Sequence, residues 1–518
     1  MPLASLTRPV SAARRLATPA AGILAGLTAA AALAVAAAPA QAAVEITAKP
    51  ALRPAFERDT SDYVSRCPAG KPLRLSVRAR DGDRVSVAGH KRRGGTFERS
   101  VSRKPDGAFT IRVDSGDETT THHVRCLPKD FPEWSLTSRG PAQAQWYLIE
   151  PIGPTARGYI AFFDTNGVPV WWRHAASFGP WDGKLLPDGN VAYGRWVGDH
   201  FGVNNRVAWE VRRIDGKLLH VLRAVGNPTD THDFQQLPNG NFLLITYRRR
   251  CCVNLSAYGA PAKAAVWDGE IQELRPNGKL VWRWSTKDHI PPSWTTHAGE
   301  SNYGWWYQTI SDTHNRPGSP ESAAYDLVHL NSVEPDGDGL IVSARHIDSI
   351  FRIDRATGSI EWKLGGKMVM GKSLTVLNTP SGFGGERLFG GQHDARLWTD
   401  GTVTVHDNGS WRDRPPVMDR FRIDPIAHTA TLLERISNPG IRISKAIGST
   451  RKLAGGNWVT SWGGAPVVTE QTPDGAFVRA FAFADGRWSY RAVPIERGRL
   501  SASSLRRGMS KMVAARRK

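Results

Sequence analysis

The sequence predicts an all-β protein, a six-bladed β-propeller preceded by a small β-sandwich domain. Three observations predict it. Short alternating apolar runs fill residues 44 to 130. Five later hairpins share one Pro-Asp-Gly-like turn, and six aromatic-rich hairpins interleave with them.

In chain order, residues 1 to 42 read as a secretory signal peptide. Arg8, Arg14 and Arg15 precede a long Ala/Leu/Gly run that ends at the small-residue site Ala40-Gln41-Ala42. The Arg14-Arg15 pair suits twin-arginine export but is also common in ordinary leaders. No later apolar run is long enough to span a bilayer. The mature protein is expected to be secreted and extracytoplasmic, or held loosely at a surface.

Residues 44 to 130 contain LRLSVRA, RVSVAG, TFERSV, AFTIRVD and THHVRC, separated by Gly, Asp and Lys turns. Alternation with period two marks half-buried strands, here of a cadherin- or Ig-like sandwich. Cys67 and Cys126 bracket this segment and are expected to pair, as suits an oxidising compartment. For the adjacent Cys251 and Cys252, a vicinal disulfide and two thiols both stay open. No CxxC spacing exists, so a thiolate zinc site is not expected.

Residues 131 to 495 hold the repeats. The first unit reads WDGKLLPDGNVAYG from Trp181, THDFQQLPNGNFLLITY from Thr231 and VHLNSVEPDGDGLIVSARH from Val328. It recurs as QHDARLWTDGTVTVHDNG from Gln392 and GSTRKLAGGNWVTSWGG from Gly448. The second unit starts at Tyr159, Glu210, Glu270, Ile350, Phe421 and Val467. The spacing is that of propeller blades, with the first unit inside and the aromatic unit outside. One inner hairpin is missing. AQWYLIE from Ala144 and RWSYRAV from Arg487 are left over, and joining them closes the sixth blade and covers its edges. Insertions at about Arg248 to Trp267 and Thr286 to Asp326 are expected to shape one face of the array.

The net charge is +20, and residues 497 to 518 hold eight basic side chains and no acid. Residues 496 to 518 therefore read as a basic disordered tail that leaves contact with cell-wall polymer or another anionic surface open. The remaining modest positive charge favours small anionic substrates. Nucleic acid is not expected as a partner, because the aromatics are not interleaved with basic runs.

His232, His329 and His393 each stand five residues before the residue that opens the turn. Equivalent positions in a closed repeat array point at one place. A lone histidine at a strand start usually caps a turn or packs. Three in register indicate a site. Asn331 follows His329 by two and shares its strand face, and Arg345 ends the returning strand. Gly390 and Gly391 let backbone approach a ligand closely before His393. No buried carboxylate is expected among these donors, so the cluster suits an oxyanion. Arg345 disfavours a three-histidine metal site, and neither a metal nor a cofactor is expected. In His232-Asp233 and His393-Asp394 the successive residues are expected to face opposite sides. His174, His289, His314 and His346 receive only surface or packing roles.

HDFQQLPNGN, HLNSVE, SARHIDSIFRID, GGQHDARLWTDG and NWVTSWGG, in this order over most of residues 140 to 485, resemble the bacterial arylsulfotransferase family. Asp394-Ala395-Arg396 resembles its actinobacterial and fungal branch. The resemblance implies a six-bladed propeller with its site in the central funnel. It implies an aryl sulfate donor, a phenolic acceptor, a sulfohistidine intermediate and no nucleotide sulfate donor. It makes His393 the nucleophile and His329 and Asn331 the HxN pair. Arg345 becomes the SxRH arginine, and His232 the first-blade-pair histidine.

The chemistry fits these residue types. In sulfuryl transfer, as in phosphoryl transfer, three equatorial oxygens share charge while nucleophile and leaving oxygen lie in line. Arg345, Asn331 and two imidazoles can hold those oxygens, and His329 or His232 can protonate the leaving phenoxide. Two alternatives remain: a non-catalytic propeller that binds an anionic ligand, and a metal-dependent hydrolase or lactonase.

Overall fold

The computed structural model describes residues 44–516, apart from 69–70, 154–157, 176–178, 198–206, 297–306 and 310–322. The expected signal peptide lies outside the described residues. These are almost entirely strands and turns, so the protein is all-β. No helix among them is long and apolar enough to cross a membrane.

The N-terminal strands form two sheets around one core. Glu45–Lys49, Leu73–Arg78 and Thr96–Val101 make the first; Asp62–Ser65, Glu118–Cys126, Ala108–Ser115 and Arg84–Val87 make the second. Period-two alternation does the sorting. Leu73, Leu75 and Val77 are buried while Arg74, Ser76 and Arg78 are exposed. Cys67 and Cys126 form the expected disulfide, with Cα atoms 5.3 Å apart. Cys251 and Cys252 are also bonded to each other.

Six sheets follow, antiparallel apart from one short parallel pairing at the edge of each of two of them. Their innermost strands are β1 (Trp181–Leu185), β2 (Thr229–Gln236), β3 (Leu330–Asp336), β4 (His393–Leu397), β5 (Ser449–Lys452) and β6 (Ala492–Ile495). Each contacts the next in this order, and β6 contacts β1. The shared turns of the first five recur with glycine because the chain needs positive φ there, as at Gly189, Gly240, Gly337, Gly401 and Gly456. Aromatics pack one sheet on its neighbour. Trp209 stacks on Phe234 of β2 at 4.8 Å.

The leftover strands do pair. β6 runs antiparallel to Trp146–Ile149, with Ala492 opposite Ile149 and Ile495 opposite Trp146. Trp488 adds an isolated bridge to Ile152. A second junction was not expected: Trp134–Ser138 adds an outer strand beside Phe477–Phe483. Two chain segments far apart in sequence thus tie the first and last repeats together twice.

The structure describes the first insertion and corrects one expectation, the disordered tail. The insertion from Arg248 is largely a strand extension, since Phe242–Val253 pairs with Ala264–Leu274 as far as Val253 opposite Ala264. Most of the second insertion lies outside the described residues. The C-terminal tail is not disordered. Ser501 caps helix α1 (Ala502–Ala515) by accepting from the Ser504 amide. Leu505, Met509 and Met512 fall on one stripe and are buried. Each such side chain contributes about 1.5–3 kcal/mol by burial. Arg506 pairs with Asp62, and Arg516 with Asp106. The high charge had hidden an amphipathic face.

Candidate active site

The inner strands carry their polar side chains at faults in the ladder. Pairing slips between Trp181 and Lys184 in β1 and between Thr229 and Phe234 in β2. It slips again between Leu330 and Ser332 in β3 and between His393 and Arg396 in β4. Asp182 and Asp394 take positive φ there, and His329 does so just before the fault in β3. A bulge breaks strict alternation. His232 and Asp233, like His393 and Asp394, are all buried, and each histidine bonds a different set of partners from the aspartate that follows it.

The aspartates feed a buried ion network that sequence reasoning missed. Arg491 reaches Asp182 at 2.7 Å, Asp233 at 3.0 Å and Asp394 at 3.2 Å. Lys184 joins Asp182 and Asp233, and Arg396 joins Asp233 and Asp394. Strands β1, β2 and β4 are thus locked to the residue that leads into β6. Breaking one pair would strand a buried charge and cost several kcal/mol, about 3–5.

His232 and His329 meet directly. Their Nε2 atoms are 3.2 Å apart. His232 Nδ1 lies 2.7 Å from Asp230 Oδ1, and His329 Nδ1 lies 2.5 Å from Asp326 Oδ2. Burial, then the charges of His232 and Arg345, hold the His329 imidazole well below its ordinary range. Burial pushes Asp326 up to about 6 against the pull of His346, His232 and Arg345. The expectation of donors without acids is therefore corrected. Each of these two imidazoles is backed by a buried carboxylate folded back from the residues just before it.

His393 is held differently. Its Nδ1 faces Asn408 Oδ1 at 2.7 Å and the Gly391 carbonyl at 3.0 Å, both acceptors, which places the ring proton on Nδ1. Asn408 donates in turn to Ser444 Oγ and the Ile447 carbonyl, which fixes its orientation. Nε2 accepts from the Ile447 amide at 3.2 Å. Burial, followed by Arg345, His232 and His329, depresses its pKa well below the usual value. The ring is neutral with its lone pair on Nε2.

The glycines before His393 admit the chain's own loop. A Cβ on Gly391 would stand 3.0 Å from Trp411, and one on Gly390 would stand 2.5 Å from Arg412. Gly391 also has φ +72°. The segment 409–412 thus closes down beside His393.

Arg345 is buried, with its guanidinium 4.3 Å over the Trp411 ring. It donates to His346 Nε2 at 3.0 Å and to the Lys445 carbonyl at 2.8 Å. Burial lowers it to about 10, so it stays cationic. Asn331 Nδ2 donates to the Gln392 carbonyl at 2.7 Å, which ties it to the residue before His393. His346, assigned only packing, belongs to the cluster. Its ring centre is 4.6 Å from that of His329, and its Nδ1 bonds the Asp326 carbonyl at 2.6 Å.

Asp326, His329 and His346 have candidate metal-ligand atoms within 4.8 Å of one another. Yet His346 already spends one nitrogen on the Asp326 carbonyl and the other on Arg345. The fixed guanidinium beside them also opposes a second cation. The donor set fits an anion better.

The model of the family described as Arylsulfotransferase (ASST) matches residues 206–484. No curated protein matches the chain significantly. Among solved structures the chain is similar to a protein of unknown function from Bacteroides caccae (12% identity, TM-score 0.38, covering 68% of this chain and 99% of that one). It is also similar to an auxiliary nutrient binding protein from Bacteroides ovatus (10%, 0.34, 88% and 90%). A third is the hydrazine synthase of Kuenenia stuttgartiensis (12%, 0.33, 65% and 79%).

Proposed function

The chain belongs to the arylsulfotransferase family, and on that premise we propose that it moves a sulfuryl group from an aryl sulfate to a phenol through a sulfohistidine at His393. One observation carries the reading. His393 is a buried neutral imidazole, with its proton held on Nδ1 by Asn408 and its Nε2 beside the Ile447 amide.

His393 Nε2 attacks sulfur, and the sulfur–oxygen bond to the aryl group breaks with its electron pair going to phenoxide. Two Nε2 atoms 3.2 Å apart need one proton between them to bond. Burial disfavours charge on His329, and the proton between the two rings passes to the phenoxide. The acceptor phenol returns a proton to the pair. Its oxygen then attacks sulfur and breaks the bond to Nε2. Arg345 holds a sulfuryl oxygen, the Ile447 amide leaves Nε2 for another as that lone pair attacks, and Asn331 offers its second amide hydrogen. Asn408 Oδ1 accepts a hydrogen bond from Nδ1–H while the ring carries positive charge.

The six sheets are read as blades of one propeller. The succession of inner-strand contacts supports that reading. Two disulfides and the leader-like N-terminus support action outside the cytoplasm.

The test is mass mapping after incubation with 4-nitrophenyl sulfate alone. The Leu388–Arg396 peptide should gain one sulfuryl mass, which phenol then removes. An adduct on another residue, or turnover by His393→Ala, rejects the assignment.

A further inference from the structure

A cleft of about 990 Å³ opens beside the cluster. Arg345 and Trp411 line it where it meets the reacting groups, and Ser444 and Lys445 lie on the loop that runs on to Ile447. That loop also holds His393, through Ser444 on Asn408 and the Ile447 amide on Nε2. The cleft and the nucleophile thus share one wall.

Its charge is one-sided. Arg345, Arg387, Arg412, Arg414, Arg442 and Lys445 line it, against the single acid Asp413. Three of the cations are already committed. Arg345 bonds His346, Arg412 pairs with Asp348, and Arg414 pairs with Asp407. The other three differ. Arg387, Arg442 and Lys445 are exposed, and none has a carboxylate partner among the described residues. Apolar surface sits among them, since Ile443 is 68% exposed and Pro415 joins the lining.

A sulfate monoester carries one negative charge at the reacting group. Arg345, the shared proton of His232 and His329, and the Ile447 amide already serve it. Three further cations gathered on one cleft repel one another unless an anion is held there. The neighbouring indole and aliphatic side chains suit a flat ring.

We propose that this cleft binds the non-reacting part of an aromatic substrate that carries a second anionic group, a carboxylate, sulfate or phosphate. Arg387, Arg442 and Lys445 receive that group while Trp411 and Ile443 flank the ring. The inference rests on the sulfotransferase reading and names its substrate class.

The test compares acceptors of equal shape and unequal charge. With 4-nitrophenyl sulfate as donor, 4-hydroxyphenylacetate and 4-hydroxyphenylpropionate are set against their amides. The enzyme should favour the better acid over its amide by about tenfold in kcat/KM, as charge complementarity of this kind provides. Arg387→Gln/Arg442→Gln should bring the ratio close to one. Lys71→Gln/Arg74→Gln, which removes two exposed charges from the N-terminal sandwich, should keep it. A ratio near one in the unmodified enzyme, or one unchanged in the cleft variant, overturns the proposal.

Binding is measured separately by calorimetry with benzene-1,3-disulfonate on His393→Ala. It should weaken at least tenfold when Arg387→Gln/Arg442→Gln is added. Such binding without any transfer from aryl sulfates would reject the reaction and keep the cleft. Transfer with no binding and no acid preference would do the reverse.

Discussion

His232 and His329 face each other through Nε2 at 3.2 Å while Asp230 and Asp326 hold their outer nitrogens. In the proposed reaction this pair hands one proton to the leaving phenoxide, with a carboxylate behind each ring. Asp326→Asn keeps the shape and removes one of the charges. Proton donation matters most when the leaving phenoxide is basic. The variant should lose roughly 10- to 100-fold in kcat/KM with phenyl sulfate, the range expected for general acid catalysis. With 4-nitrophenyl sulfate the loss should stay within several-fold. Equal losses with both donors would place Asp326 outside proton transfer.

In the proposed reaction His393 sets the acid limb of adduct formation. Its folded pKa lies well below the ordinary histidine value, so the ring stays unprotonated as pH falls through 6.5. The burst of nitrophenol release should therefore be flat from pH 8 to about 6, and fall only below that. A midpoint near 6.5 would mean an ordinary, solvated imidazole.

His406 gives the stability counterpart. It is buried opposite His393 in the ladder, and burial lowers it to about 4. The unfolded chain takes up this proton below about 6.5 and the folded chain refuses it. Stability is therefore lost as pH falls from 6.5 to 4, by about 3 kcal/mol from this group. Buried Glu150 and Asp326 have raised pKa values and act in the opposite direction. A difference between two proteins cancels them. The melting temperature of His406→Leu minus that of the parent should rise steadily from pH 7 to pH 4. A constant difference would show that His406 is protonated alike in both states.

Gly391→Ala tests the loop beside His393. The substitution forces φ +72° on a residue with a Cβ and drives that Cβ to 3.0 Å from Trp411. The strain should cost about 1–3 kcal/mol of stability. It should also move Trp411 and Arg345, which stack on each other, and slow adduct formation. Thermal melting and burst kinetics read the two effects separately.

The histidines were legible because the repeat fixes their register against a glycine turn. Their partners were not, because they break that register. Asp230 lies two residues before His232, Asp326 three before His329, and Asn408 on the far strand of its own hairpin. Each is supplied by a different route. His346 follows Arg345 inside a short 3-10 turn, where neighbours need not face opposite ways. The unpaired strand near Trp146 was legible by counting hairpins, and it does pair with the C-terminal strand. The outer strand at Trp134–Ser138 lacks that cue, and its burial is only partial.

Arg345 is the last test, because it joins three features at once. It stacks on Trp411, donates to His346 Nε2 and donates to the Lys445 carbonyl. A lysine keeps the positive charge but cannot donate in two fixed directions or stack as a plane. If Arg345 holds a sulfuryl oxygen in the transition state, Arg345→Lys should slow adduct formation by about a hundredfold, the usual cost of one such donor. The loss should be the same for phenyl and 4-nitrophenyl sulfate, since the sulfuryl group is common to both. That equality separates it from Asp326→Asn, whose loss depends on the leaving group. A loss that grew with phenol basicity would make Arg345 a positioning residue for the histidine pair, acting through His346.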